Sequence, residues 1–268
     1  MDYDEKSVIW QSGVEGLVSD EFADYVSHVY VHQGSLDFNF LGNPLHMEAG
    51  NCMILVTRNM VSDLCPSTDF EAEVIYVTNT FLETCAPRNN FAIRGTLMLY
   101  VNPVWVLTAE EQQRCVHNFE EVRIRLMEEH PYKSDVMSSA CLLLFLDFYK
   151  FQMRIYPGEG VSFLNADLMI RFLQMLTRGD YRQNREVTYY ADALCVTPKH
   201  LSEVSKKVSG FGANYWINRF TIIELQRLLR RRDISLIQIA DDFNFTSQAY
   251  FSRYVQNYLG VSPTAYRE

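Results

Sequence analysis

Two stretches near the end of the chain, about 50 residues apart, follow one plan, and nothing else in the sequence restricts the fold as much. In the first, Val187–Leu194 has the spacing of a short helix, with Tyr190, Ala191 and Leu194 on one face. Cys195 and Val196 make a tight turn. Thr197 is placed to cap the next helix, with Pro198 at its first position, where a missing N–H costs nothing. That helix buries Leu201, Val204 and Val208 and leaves Lys199, His200, Ser202, Glu203, Lys206 and Lys207 on its outer faces. In the second, Ser235 opens a helix with Gln238 in the capping-box position, and Ile239, Ala240 and Phe243 form its inner side. Asn244 falls at the turn, where a residue tolerant of positive φ is wanted. Thr246 or Ser247 caps the following helix. There Phe251, Val255 and Tyr258 point inward, while Gln248, Ala249, Ser252, Arg253 and Gln256 share the other side. Two short helices joined by a tight turn, the second with a polar face, form a helix-turn-helix pattern. Here it occurs twice, joined by a long helix over Ala213–Leu229.

The chain before this pair has a different period. Residues 1–107 read as strands: Tyr25–Val31, the alternation Leu36/Phe38/Phe40, then Leu45/Met47, Cys52–Val56, Glu73–Val77 and Gly95–Tyr100. Turn signals at Gln33-Gly34-Ser35, Gly42-Asn43-Pro44 and Gly50-Asn51 separate the first of them, which predicts a small β-barrel or sandwich. At Thr108 the pattern turns helical, with Glu111 completing a capping box and Phe119, Val122, Leu126 and Met127 recurring at helical spacing. A second helix over Ser134–Arg154 is apolar on most sides, so something must cover it. Its neighbours in the chain and a dimer seam both satisfy that need. Pro157-Gly158-Glu159-Gly160 reads as a linker. The expected fold class is α+β in three parts: a β domain over 1–107, a helical linker or dimerisation segment over 108–157, and an all-α domain over 161–268.

Charge follows the same division. The chain carries a formal −9, which taken whole argues against a polyanionic partner. From Arg182 onward, however, 12 Lys/Arg stand against 8 Asp/Glu, a surplus of +4, and residues 1–181 hold the remaining −13. The 6 cysteines are scattered without zinc-finger spacing, which predicts reduced thiols. The acidic start MDYDEKSVIW lacks the basic and apolar regions of a signal peptide, and the apolar run Ala140–Phe151 is too short for a bilayer. The expectation is a cytoplasmic protein without a membrane partner.

The passage SLIQIADDFNFTSQAYFSRYVQNYLGVSPTAYR, Ser235 to Arg267, resembles the second half of the DNA-binding domain of AraC/XylS-type transcription regulators. That pattern runs S-I-x-x-I-A, a G/N-F turn, F-S-R-x-F-K and G-x-S/T-P-x-x-Y-R. Tyr190-Ala191, Leu194, Thr197-Pro198-Lys199-His200-Leu201, Gly210 and Trp216-Ile217 match its first half. The chain departs from it at Asn244 (usually Gly), at Glu203 (usually basic) and at Val255-Gln256 (usually an aromatic-Lys pair).

The resemblance implies that each unit lays its second helix in the major groove. Lys199, Ser202 and Glu203 would then face base edges in the first unit, and Gln248, Ala249 and Arg253 in the second, with His200 and Ser252 beside them. Lys206, Lys207 and the amides near Thr197 and Ser247 would hold phosphates. The run Arg230-Arg231-Arg232 serves either DNA or the end of its own helix. For the first half the resemblance implies a cupin-like sensor with a small-molecule effector. The partners the resemblance implies for the chain are double-stranded DNA, a second copy held through the helices of 108–157, and RNA polymerase. No cofactor or metal is expected, because His28, His32 and His46 lack the spacing of a metal set. No catalytic constellation stands out, so an enzyme is not expected. The alternatives are a regulator without ligand, whose first half only dimerises or binds a protein, and a cupin-type enzyme or alkyl-accepting repair protein.

Overall fold

The structure is a computed structural model and describes residues 4–85, 92–156 and 161–267. The chain divides into two compact units, Met1–Glu159 and Gly160–Glu268. The expected linker at 157–160 lies outside the described residues.

Apolar–polar alternation in the first unit produces two antiparallel sheets. The strands are β1 (Val8–Ser12), β2 (Tyr25–Gln33), β3 (Ser35–Phe40), β4 (Asn43–Glu48), β5 (Asn51–Leu55), β6 (Val61–Pro66), β7 (Glu71–Thr78) and β8 (Val104–Val106). Five of them form a sheet in the order β1-β7-β2-β5-β8, and three form a second in the order β4-β3-β6. The chain changes sheets at Gly34 and Gly50, both at positive φ (72° and 83°). A Cβ on Gly34 would stand 2.8 Å from the backbone of Phe70, so glycine is required there. Val29, Val31, Met53, Leu55, Val74 and Tyr76 of the larger sheet are buried, as are Leu36, Phe38, Phe40 and Met47 of the smaller. Phe22 stacks on Tyr76 with ring centroids 3.9 Å apart, so aromatic side chains fill the sandwich.

Among the described residues, four α-helices complete the first unit: α1 (Asn79–Cys85), α2 (Ala92–Leu99), α3 (Ala109–Met127) and α4 (Lys133–Ile155). Thr108 and Glu111 form the expected capping box on α3. Phe119 and Val122 of α3 share one core with Met137, Cys141, Leu144, Phe145, Phe148 and Phe151 of α4 and with Tyr30, Ile54, Ile75 and Trp105 of the larger sheet. Both helices therefore belong to the first unit's own core. α4 is long and apolar enough to cross a membrane by length and composition, and it buries one face in this core.

The segment 95–100, read as a strand, is the body of α2 and the turn after it. Ile93 and Leu97 are one helical turn apart and both buried, a spacing that short apolar runs share with strands. Gly95 permits the helix: a Cβ there would meet the Gln152 side chain of α4 at 1.8 Å. Three histidines divide among separate environments. His28 is buried, its ring parallel to Phe148, and burial pushes its pKa down to about 4. His32 pairs with Glu73, and His46 with Asp37.

The second unit is helical throughout: α5 (Phe163–Arg178), α6 (Val187–Ala193), α7 (Pro198–Ser209), α8 (Ala213–Arg230), α9 (Leu236–Asp242), α10 (Gln248–Leu259) and α11 (Pro263–Arg267).

Candidate nucleic-acid interface

The repeated passages form two units with one backbone plan. In the turn after α6, Cys195 takes a left-handed φ of 57°, and the N–H of Val196 donates to the carbonyl of Ala191 at 2.9 Å. In the turn after α9, Asn244 does the same at φ 49°, and the N–H of Phe245 donates to the carbonyl of Ala240, again at 2.9 Å. Thr197 Oγ1 accepts the His200 amide and Ser247 Oγ accepts the Tyr250 amide, each at 3.1 Å. α7 and α10 then run 12 residues each and stop at Gly210 and Gly260, both in the left-handed region. From cap to terminal glycine, one unit maps onto the other by a shift of 50 residues.

Inside, Leu201, Val204, Ser205 and Val208 of α7 are buried, as are Phe251, Tyr254 and Val255 of α10. The expectation for Tyr258 is corrected: it is 48% exposed, and Tyr254 takes the inward place. Tyr254 sits one residue before Val255 on the buried arc, and its hydroxyl donates to Asn218 Oδ1 of α8 at 2.7 Å. In the other unit the indole of Trp216, also on α8, donates to Ser209 Oγ of α7 at 2.7 Å. One buried hydrogen bond thus ties α8 to each of the helices it joins, where leaving either donor unpaired would cost free energy. Outside, Lys199, Ser202, Glu203 and Lys206 line up at helical spacing on α7, and Ala249, Ser252, Arg253 and Gln256 do so on α10. His200, Lys207, Ser247 and Gln248 are exposed beside them, while Ser202 and Ser252 are half-buried. A polar cleft of 570 Å³ opens along α10, lined by Tyr250, Arg253 and Asn257 and by Asn214 of α8.

Comparison with known proteins bears on this half of the chain. Residues 190–268 match the family model of the helix-turn-helix domain. A stretch of 78 residues is 32% identical to the regulatory protein PocR of Salmonella typhimurium, covering 29% of this chain and 26% of PocR. Another of 71 residues is 35% identical to the HTH-type transcriptional activator AarP of Providencia stuartii, covering 26% of this chain and 53% of AarP. The second unit carries an AraC-type helix-turn-helix domain. The chain spans about a quarter of PocR and about half of AarP. Among solved structures, ToxT from Vibrio cholerae O395 aligns over 98% of this chain and 97% of its own at 14% identity and a TM-score of 0.46. The AraC-like transcriptional activator CuxR aligns over 85% and 78% at 11% identity and a TM-score of 0.40.

Most arginines of the AraC-type domain serve its own scaffold. Arg182 and Arg227 both pair with Glu224, and Arg231 pairs with Asp233. Arg267, the last residue of the terminal signature, donates to the carbonyls of Leu229, Arg231 and Ile234 and so closes the end of α8. Arg232 in turn donates to the Arg267 carbonyl, which favours the helix-end reading for Arg231 and Arg232. Arg185 is the residue that sequence reasoning missed. It lies before α6, yet its guanidinium donates to the carbonyls of Phe243 and Asn244 in the second unit's turn and lies 4.2 Å from the Phe245 ring centroid. Burial pulls its pKa below the usual arginine value. No spacing rule connects positions 185 and 244. On the outward faces, Lys199 lies 3.8 Å from Glu203, whereas Lys206, Lys207 and Arg253 have no ion pair among the described residues.

Proposed function

We propose that the protein is a sequence-specific, DNA-binding transcription regulator that works as a homodimer. The observation that carries this reading is the pair of capped, outward-polar helices α7 and α10, each hydrogen-bonded to the shared helix α8. On this reading both enter successive major grooves on one side of the duplex, about 34 Å apart. Arg253 reads guanine and Gln248 adenine, each through paired hydrogen bonds, while Lys199, Ser202, Glu203 and Ala249 face the neighbouring bases, with His200 and Ser252 beside them. Lys206, Lys207 and the amides near Thr197 and Ser247 fix the register through phosphates.

The surplus of +4 from Arg182 onward, much of it spent within the fold, makes one copy a weak DNA binder, so a second copy is part of the proposal. Its seat is the outer face of α4, where Leu143, Leu146 and Met153 are 58%, 44% and 66% exposed at coiled-coil spacing. RNA polymerase is the protein partner that goes with this role, and a small effector acting on the first unit is its control. Selection of bound fragments from genomic DNA tests the core of the reading. It should recover paired motifs of two blocks each, the blocks about 10 base pairs apart. Recovery of random sequence would overturn it. Leu146→Glu should halve the mass measured by light scattering without unfolding the chain.

A further inference from the structure

We infer that the first unit binds a small organic cation, an ammonium or guanidinium compound, in a cleft between the larger sheet and α3. The sandwich interior is filled by its own aromatics, but on the opposite face of the sheet a cleft of 520 Å³ stays open, a size typical of small-molecule sites. Its floor is Glu73 of β7, whose side chain is only 12% exposed. The Trp10 indole donates to one carboxylate oxygen at 2.7 Å, and His32 Nε2 lies 2.7 Å from the other. An ionised carboxylate has about four acceptor positions, so two partners hold it in place without exhausting it. Glu71 and Glu120 add two more carboxylates at the rim.

The aromatic wall is already used as a cation seat. The Arg123 guanidinium of α3 lies 5.5 Å from the Trp10 ring centroid. Its other hold is Glu120 at 3.7 Å, with both side chains about half exposed, an arrangement that contributes little. Arg123 is thus a tethered, weakly held cation standing where a free one fits. Three carboxylates against Arg123 and His32, within a segment of −13, focus positive charge toward the cleft.

The inference goes beyond the DNA-binding reading and is tested without DNA, so either can fail alone. Of the 3 tryptophans, Trp105 and Trp216 are buried and Trp10 is the one water reaches, so acrylamide-quenchable emission reports on this cleft. Agmatine should change that emission saturably, whereas neutral 1,4-butanediol and anionic succinate should not. Arg123→Gln removes the resident competitor and should tighten agmatine by about two- to fivefold, the worth of an exposed cation–π contact. Glu120→Gln should weaken it by a similar factor. Calorimetry on Trp10→Leu should lose the heat of binding. A chain that responds to agmatine in neither the wild type nor Arg123→Gln, or that answers to succinate instead, overturns the inference.

Discussion

The two helix-turn-helix units share a backbone and differ in almost everything they present. A shift of 50 residues sets Lys199 against Ala249, Glu203 against Arg253, Lys206 against Gln256 and Lys207 against Asn257. Where α7 has an ammonium α10 is neutral, and where α10 has its guanidinium α7 has a carboxylate. The buried faces fix the helix directions in both units, which frees the outer positions to diverge. An arginine recognises a base edge through a planar fork, whereas lysine is a flexible point charge better suited to phosphate. The contrast assigns discrimination to α10 and anchoring to α7. The scaffold is asymmetric too. Arg185 straps the second unit's turn from the lead-in to the first, and Asn244 Nδ2 returns a hydrogen bond to the Gln183 carbonyl at 3.2 Å.

That strap gives the largest expected effect. Arg185→Ala should destabilise the domain by about 2–3 kcal/mol, the worth of charge-assisted hydrogen bonds to the turn's carbonyls, read from denaturant unfolding. Hydrogen exchange makes the comparison sharper: the Phe245 amide should lose protection while the Val196 amide keeps most of its own. Equal loss in both turns would show that the units are not separately held. Next comes the recognition contrast. Arg253→Ala should cost about 1–3 kcal/mol on the selected site and flatten preference at one base pair. Lys207→Ala should weaken binding on all sequences alike and lower the salt slope of log K by about 1. If Lys207→Ala changes sequence preference and Arg253→Ala does not, the division of labour is reversed.

How much of this was legible in the sequence depends on the range of the interactions. Caps, turns and helix faces are local, so Thr197, Ser247, Asn244 and the buried sets of α6, α7 and α9 followed from spacing alone, whereas on α10 Tyr254 takes the place expected for Tyr258. In the first unit, β2, β3, β4, β5 and β7 were readable because they alternate or are β-branched. β8, with three residues, and β1, whose partner β7 lies more than 60 residues away, carried too little pattern. α2 was misread because the six-residue stretch Gly95–Tyr100 is too short to tell the two periods apart, and the decisive fact, Gln152 packed against Gly95, belongs to another helix. Counting charge gave the surplus after Arg182 but not its use: Arg182, Arg227, Arg231 and Arg267 are engaged within the fold, a pairing visible only in three dimensions.

The smallest expected effect separates the two turns themselves. Both Cys195 and Asn244 occupy left-handed backbone, which costs an ordinary side chain about 1–2 kcal/mol and asparagine less. Cys195→Gly relieves that strain at a position whose side chain is exposed, against a glycine entropy cost of about 0.5–1 kcal/mol. It should therefore raise stability by about 0.5–1 kcal/mol. Asn244→Gly has less strain to relieve and also gives up the hydrogen bond to Gln183, so it should be neutral or destabilising. Thermal unfolding of the two variants side by side checks the sign. A larger gain at 244 than at 195 would mean that the Asn244 contact contributes nothing and that the Arg185 guanidinium alone holds the second turn.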